Sequence, residues 1–199
     1  MELHQAIRRR HMVRDYEDRP VDRLVVDRLL AAATHAPSAG FTQGWAFVVL
    51  EGPEQTERFW RHTLPPAERA GFRWPGLLRA PVLVLPLACE QAYLDRYGEP
   101  DKAATGLAGP GSWAVPYWQV DCAFATMLVL LAATDAGLGA LFFAIGRNEG
   151  ALLADLGVPT GHRPIGAVAL GHPAPGDRPS SSVARGRRPL AEVVHRGGW

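Results

Sequence analysis

The chain has 199 residues, of which 47% are hydrophobic and 21% charged, and its formal net charge at pH 7 is +1. This composition is typical of a globular domain with a full core, and the near-neutral charge argues against nucleic acid or an anionic membrane as a partner. The two cysteines, Cys89 and Cys122, are too few and too far apart for a disulfide framework or a cysteine-based metal site. We therefore expect a reduced cytoplasmic protein that does not span a membrane.

The first half of the chain alternates predicted helices with predicted strands. Apolar residues at helical spacing predict helices over 2–10 and from 21 to no later than 36. A short apolar run predicts a strand over 46–50, and a mostly exposed helix follows over 54–62. Near-continuous aliphatic residues predict a strand over 81–89 that is buried on both faces.

The second half is built around one long helix. Residues 117–136 are apolar nearly all round, which predicts a central, buried helix. The apolar run is long enough to span a membrane, but the break at 134–139 favours a buried helix followed by a buried strand at 141–145. A helix over 148–156 and a strand over 165–170 complete the pattern. These elements predict a single α/β or α+β unit with about four strands.

Two stretches lack regular periodicity. Residues 90–116 are rich in Gly and Pro but contain aromatic side chains, which argues against simple disorder. A long irregular stretch inside a globular domain is often functional, so we interpret 90–116 as a lid or a wall of a substrate pocket. Residues 173–189 form a polar connection rich in Pro, Ser and Arg, followed by a short apolar segment.

No common catalytic or metal-binding motif is present. The seven histidines form no i,i+4 pair and no HExxH sequence occurs, so no metal site is predicted. The absence of GxSxG and CxxC leaves covalent hydrolase and thiol-redox chemistry without a motif. The absence of GxGxxG and GxxxxGK[ST] likewise gives a dinucleotide-binding or P-loop fold little support.

One loop has the composition of a ligand-binding segment: Ala36-Pro37-Ser38-Ala39-Gly40-Phe41-Thr42-Gln43-Gly44-Trp45. Its proline marks a helix end, and its glycines allow a ligand to approach the backbone closely. Ser38, Gln43 and the backbone N–H groups could therefore bind a flat polar ligand. The alternative is an ordinary connection between a helix and a strand.

Arginines cluster near both ends of the chain, at 8–10 with Arg14 and in Arg185-Gly186-Arg187-Arg188. Guanidinium groups bind phosphate through paired N–H donors, so the two clusters are candidates for one phosphate site. The alternative is that both are solvated surface runs. The chain's basic residues are almost all arginine, because Lys102 is the only lysine, and this compositional bias supports that alternative.

Four segments, taken in order, resemble the nitroreductase-like FMN-dependent flavoproteins: 9–16, 36–45, 137–140 and 185–190. The resemblance extends over essentially the whole chain and lies in the ordered set rather than in any single motif. It implies one domain over 1–199 with an α+β fold. The fold would be a three-layer α/β/α sandwich with a mixed central sheet of four to five strands around a long buried helix. It also implies a homodimer with FMN at the interface, and 173–199 as an extended C-terminal arm that reaches the partner.

The resemblance also implies roles for individual residues. Arg10, Arg185 and Arg187 would hold the FMN phosphate, and Arg14 would lie beside the pyrimidine edge of the ring, where positive charge stabilises reduced flavin. The implied cofactor-binding residues are Arg9, Arg10, His11, Met12, Arg14, Pro37, Ser38, Ala39, Gly40, Gln43, Leu141, Phe142, Phe143, Ala144, Arg185 and Arg187. The substrate pocket is expected to contain Phe41, Trp113, Tyr117 and Trp118, each of which could equally be a core or interface aromatic. No side chain is assigned a catalytic role, because the flavin mediates the reaction.

The implied activity is transfer of hydride from NAD(P)H through flavin N5 to a nitroaromatic, quinone or similar small aromatic acceptor. Three residues depart from the common family pattern: Met12 replaces a serine, Phe41 replaces an asparagine, and Ala144 replaces an acidic residue. These departures leave two alternatives open. One is a flavin-dependent dehydrogenase, dehalogenase or flavin-fragmenting enzyme, and the other is a non-catalytic FMN carrier or sensor.

Overall fold

A five-stranded sheet forms the middle layer of the computed structural model, which describes residues 1–199. Its strands pair antiparallel in the order β1-β2-β5-β3, and β4 also pairs with β2. The strands are β1 (Trp45–Glu51), β2 (Val82–Cys89), β3 (Gly139–Phe143), β4 (His162–Pro164) and β5 (Ala167–Gly171). The helices are α1 (Leu3–Arg9), α2 (Arg23–Ala33), α3 (Gly52–Thr63), α4 (Glu90–Gly98), α5 (Tyr117–Asp135) and α6 (Glu149–Asp155).

The side chains of β2 alternate between the two faces of the sheet and so contribute to two separate halves of the core. Successive side chains of a strand point to opposite faces of the sheet. Leu83 and Leu85 pack on one face with α3 and α6, whereas Val82 and Val84 pack on the other face with α2 and α5. The α+β fold with three layers, expected from the sequence, is therefore confirmed.

The sheet differs from the expected mixed sheet in one respect, because all of its strand pairs are antiparallel. The single parallel contact is an isolated bridge between Met12 and Ala140 at the free edge of β3. The segment after α1 makes one ladder bond there, from Val13 N–H to the Ala140 carbonyl oxygen at 3.0 Å. It then turns away, since Tyr16 N–H donates to the Gly76 carbonyl oxygen at 3.3 Å, so no parallel strand forms.

Part of the stretch 90–116 is helical. Its first nine residues form α4, which buries Tyr93 and Leu94. A short 3₁₀ turn, Ala103–Thr105, is the only other regular element in the stretch. The sequence interpretation missed α4 because the glycines and prolines beyond residue 97 dominated the composition of the whole stretch. Its role as a lid or pocket wall stays a prediction.

Helix α5 is half covered rather than fully buried. Ala125, Val129 and Ala133 are buried and pack with α2 and the sheet, whereas Phe124 is 47% and Met127 45% exposed. The prediction of a buried helix at the centre is thus wrong for one face. By length and composition alone α5 could cross a membrane, and its buried face packs inside the domain.

The C-terminal segment contributes little to the core. From residue 181 to the end every residue is exposed, and the segment contains only two short 3₁₀ turns, Ser181–Arg185 and Leu190–Glu192. Several of its exposed side chains are large and apolar, including Val183 and Leu190. A segment of this kind buries little apolar surface within the chain, and its role as an extended arm that reaches a partner stays a prediction.

Candidate functional site

The two arginine clusters meet in one cavity. It has a volume of about 480 Å³ and is lined from both ends of the chain. The N-terminal side contributes Arg10, His11, Met12 and Arg14, and the C-terminal side contributes Pro179, Ser180, Ser182, Val183, Gly186 and Arg187. Arg9 and Arg185, also expected at a phosphate site, do not line it.

The cavity has the chemistry of an anion site. Three arginines line it and no carboxylate does. Nη1 of Arg10 is buried and has no hydrogen-bond partner. A buried donor without an acceptor is costly. The three guanidinium groups that line the cavity together suit an anionic ligand with several oxygen acceptors, such as phosphate.

A carboxylate that was not predicted holds the N-terminal side in place. Asp177 accepts hydrogen bonds through Oδ1 from the backbone N–H groups of Arg14, at 2.8 Å, and Asp15, at 3.1 Å. Its side chain is almost buried, and its Oδ2 lies 3.7 Å from Nε2 of His11. Asp177 therefore ties the start of the C-terminal segment to the arginine run. The polar connection around it contained no local pattern that would have marked it.

Arg14 is positioned by an aromatic side chain. Its guanidinium lies over the indole of Trp74, with Cζ 5.3 Å from the ring centroid. Its Nη1 donates to the Met12 carbonyl oxygen at 3.0 Å. Neither contact neutralises the charge, so Arg14 brings a fixed positive charge to the cavity wall. The sequence interpretation did not identify Trp74.

Met12 connects the cavity to the edge of the sheet. Its sulfur lies 3.5 Å from the backbone nitrogen of Phe142, as a weak acceptor. The side chain also packs against both halves of the core. A serine at this position would be too short to make these apolar contacts, so the departure at Met12 has a packing function here.

The expected residues of β3 and the residue after it do not line the arginine cavity. Leu141 is buried in the core, and the ring of Phe143 stacks on Trp60 with centroids 5.9 Å apart. Phe142 instead lines a separate cleft of about 590 Å³, and Ala144 is exposed. The other residues of that cleft are Ala88, Gln119, Ala123, Arg163, Pro164 and Ile165.

The loop between α2 and β1 also lies away from the arginine cavity and is strained. Phe41 and Gln43 adopt left-handed backbone angles, with φ of +56° and +52°. Such angles cost about 1–3 kcal/mol for each residue that is not glycine, and they concentrate at functional sites. Phe41 is 76% exposed. The strained backbone conformation of the loop therefore holds an aromatic side chain in solvent.

The loop is held from several sides. Ser38 Oγ accepts from Gln43 N–H at 3.0 Å, so the loop closes on itself. Arg96 Nε donates to the Gly40 carbonyl oxygen at 2.9 Å. A Cβ at Gly40 would lie 2.9 Å from the ring of Tyr97, so only glycine allows the loop to pack this closely on α4.

Three of the four predicted pocket aromatics form one cluster around Trp113. The ring of Trp113 lies 4.6 Å from that of Tyr97, 5.5 Å from that of Tyr117 and 6.4 Å from that of Trp118, measured between centroids. Its Nε1 donates to the Leu107 carbonyl oxygen at 2.9 Å. Phe41 is outside this cluster. Whether these aromatics contact a substrate stays a prediction.

Comparisons with known proteins agree on one family. The sequence model described as "Nitroreductase family" matches residues 7–172. The chain is 29% identical over 184 residues to the Methanothermobacter thermautotrophicus protein named "Putative NADH dehydrogenase/NAD(P)H nitroreductase", a match that covers 89% of this chain and 82% of the relative. It is 27% identical over 157 residues to iodotyrosine deiodinase 1 of Rattus norvegicus, which covers 69% of this chain and 50% of that protein.

A solved structure extends the likeness to the whole chain. The nitroreductase-type protein of Desulfovibrio desulfuricans, in complex with FMN, superposes with a TM-score of 0.72 at 26% identity, covering 100% of this chain and 98% of the other. The segment matched by the family model contains all five strands and the N-terminal side of the arginine cavity. The resemblance noted from the sequence is therefore confirmed, and the chain belongs to the nitroreductase family.

Proposed function

We propose that this protein is an FMN-dependent oxidoreductase that takes hydride from NAD(P)H and passes it to a small aromatic acceptor such as a nitroaromatic or a quinone. The observation that carries the proposal is the cavity in which both ends of the chain converge. It offers three arginines, no carboxylate and a buried guanidinium nitrogen without a partner. These are the features that a phosphate ester requires.

The residues of the cavity fit the phosphate end of FMN. Arg10 and Arg187 supply guanidinium donors, and the hydroxyl groups of Ser180 and Ser182 line the same space. The hydroxyls can replace the contact that a serine at the position of Met12 would make. FMN, when bound, supplies the two-electron chemistry, and the protein supplies orientation and charge. Arg14 contributes a positive charge fixed by Trp74 where negative charge on the ring must be stabilised.

The remaining parts of the expected FMN site lie outside this cavity, which supports a homodimer with the flavin at its interface. Tyr117, Phe124 and Met127 recur at helical spacing on α5, and each is more than 40% exposed. Leu3 and Ile7 of α1, which packs against α5, are exposed as well. An apolar surface of this extent is typical of an interface. In the dimer the strained loop of one protomer would complete the site of the other.

Reductive dehalogenation is the second candidate function. The similarity to iodotyrosine deiodinase 1 favours it, although this chain spans about half of that protein's length. The departures at Phe41 and Ala144 are compatible with an altered acceptor, because Phe41 is exposed on the loop and Ala144 follows β3. The two candidates share FMN and differ in the acceptor.

The test begins with the visible spectrum of the purified protein, with FMN added if it is colourless. NADH or NADPH is then added without oxygen. Bleaching of the flavin, followed by many turnovers with 1,4-benzoquinone or nitrobenzene, is the expected result. Turnover with a halogenated phenol but not with these acceptors would support dehalogenation. Bound flavin that no nucleotide reduces would leave a carrier, and failure to bind FMN at all would refute both enzymatic functions.

A further inference from the structure

A buried carboxylate with no cationic partner lies beneath the strained loop. Asp121, in the second turn of α5, is 2% exposed. One of its oxygens, Oδ2, accepts from the hydroxyl of Tyr93 at 2.7 Å and from the backbone N–H of Ala39 at 2.8 Å. None of the chain's ion pairs includes Asp121. Its two neutral donors come from α4 and from the loop.

A charge buried in this way is costly unless hydrogen bonds replace its lost hydration. Burial raises the pKa of Tyr93 well above its usual value, and the hydrogen bond to Asp121 and the charge of Asp121 raise it further. The phenol therefore remains a donor throughout the physiological range. The second donor, Ala39 N–H, makes its only hydrogen bond to this oxygen.

The contact at Ala39 sets the start of the strained segment. Ala39 begins the 3₁₀ turn Ala39–Phe41, and the left-handed residues follow at Gly40, Phe41 and Gln43. The opposite side of the loop is bound by Arg96, which Asp101 holds through two hydrogen bonds of 2.7 and 2.8 Å. The loop is thus fixed at one side by a carboxylate and at the other by a guanidinium. Neither of these charged groups belongs to the loop itself.

We propose that Asp121 is a positioning residue for the active site: by accepting from Ala39 N–H, it holds the Ala39–Gln43 segment in the strained conformation that presents Phe41. This inference rests on the proposed function, since it takes the loop to border the site of the acceptor. Asp121 does not contact the reacting groups and acts through the loop. The charge matters because an ionised acceptor binds an N–H roughly twice as strongly as a neutral one.

The test compares Asp121→Leu and Asp121→Asn with a control on the same helix, Thr126→Val. Leucine removes the acceptor at similar volume, whereas asparagine can keep an oxygen at the same point without the charge. Thr126 is also buried, but its hydroxyl bonds within α5, donating to the Cys122 carbonyl oxygen at 2.8 Å. Its replacement therefore loses a buried hydrogen bond without touching the loop.

Two measurements are made on each variant. The first is hydrogen exchange of the backbone amides of residues 39–44, followed by mass spectrometry in the FMN-loaded protein. The second is steady-state kinetics with 1,4-benzoquinone as the acceptor. For Asp121→Leu we expect loop exchange to accelerate about tenfold and KM for the quinone to rise by a similar factor, with kcat nearly retained. Asp121→Asn should recover only part of both values, because its oxygen can still accept from Ala39 N–H but carries no charge, and Thr126→Val should match the wild type in both.

Wild-type exchange rates in Asp121→Leu would overturn the proposal. So would equal effects from leucine and asparagine, or loop effects in Thr126→Val that match those of Asp121→Leu, since either would indicate general destabilisation. If Asp121→Leu does not fold, Asp121→Asn alone carries the test: loop exchange should be faster than in the wild type, because the acceptor of Ala39 N–H loses its charge, and wild-type exchange would count against the proposal. If the wild type binds no FMN, the proposed function fails. The exchange measurement on the apoprotein then decides the role of Asp121 by itself.

Discussion

Replacement of Arg10 by glutamine should affect stability and cofactor binding in opposite directions. Nη1 of Arg10 is buried without a partner. In the apoprotein this nitrogen has therefore lost its hydration, and no protein hydrogen bond replaces it. Its removal should leave the free energy of unfolding of the apoprotein unchanged or raise it by up to about 1 kcal/mol. Most substitutions of partly buried residues destabilise instead.

FMN binding should respond the other way. A charge-assisted hydrogen bond contributes about 1.5–3 kcal/mol, so loss of the Arg10 contact should weaken FMN binding by about 10- to 100-fold. The loss should shrink at high salt, because screening weakens the attraction in the wild type as well. Quenching of flavin fluorescence on titration of the apoprotein gives the dissociation constant, and urea unfolding gives the stability.

Matched controls exist at both ends of the chain. Arg9→Gln changes the neighbouring arginine, which does not line the cavity, and Arg185→Gln is the corresponding control for Arg187→Gln. We expect the control variants to bind FMN within about threefold of the wild type, against 10-fold or more for Arg10→Gln and Arg187→Gln. Equal losses of FMN affinity in Arg9→Gln and Arg10→Gln would refute the assignment, because they would show that only the net charge of the protein affects FMN binding.

Three further predictions address other parts of the structure. Asp177→Asn should lower the free energy of unfolding by about 1–3 kcal/mol in urea titrations, because the N–H groups of Arg14 and Asp15 lose a charged acceptor; an unchanged midpoint would contradict this. Phe124→Glu should convert the protein to a monomer in light scattering after size exclusion, and a variant that keeps the wild-type mass would exclude α5 from the interface. Burial raises the pKa of the Cys122 thiol to about 12, so at pH 8 only about 1 in 10,000 molecules carries its thiolate. Iodoacetamide should therefore modify Cys89 alone in the folded protein and both cysteines in urea, and rapid native labelling of Cys122 would show that its surroundings open.

The layers of the fold could be predicted from the sequence because the local spacing of apolar residues determines them. The aliphatic run of β2 indicated a strand buried on both faces, and Leu83 and Val84 do point into different halves of the core. The arginine cavity was accessible in outline for another reason. Its cations form two compact clusters in the chain, and the resemblance to the family predicted that both clusters would lie at one phosphate site.

The residues that hold the site in place were not accessible in this way. Asp177 contacts backbone groups 163 and 162 positions away, and no local pattern reports a contact over that distance. Asp121 did leave a signal that the interpretation passed over. A lone acid on the buried face of an otherwise apolar helix must find donors, and its nearest candidates lie on other elements. Nothing in the sequence marked Trp74 as a partner of Arg14, since a tryptophan is as common in a hydrophobic core as beside an arginine.

The exposed face of α5 marks the limit of reading burial from hydrophobicity. An apolar pattern reports how much surface a helix must bury in its working state, and it does not report which chain provides the cover. The apolar residues on every face of α5 were therefore interpreted as buried within one domain. In the single chain, however, Phe124 and Met127 are about half exposed. The same excess of apolar surface occurs on α1 and on the C-terminal segment, which borders the arginine cavity. If a second protomer covers these surfaces, assembly and cofactor binding become coupled, and substitutions on α5 should weaken FMN binding without contacting the cavity.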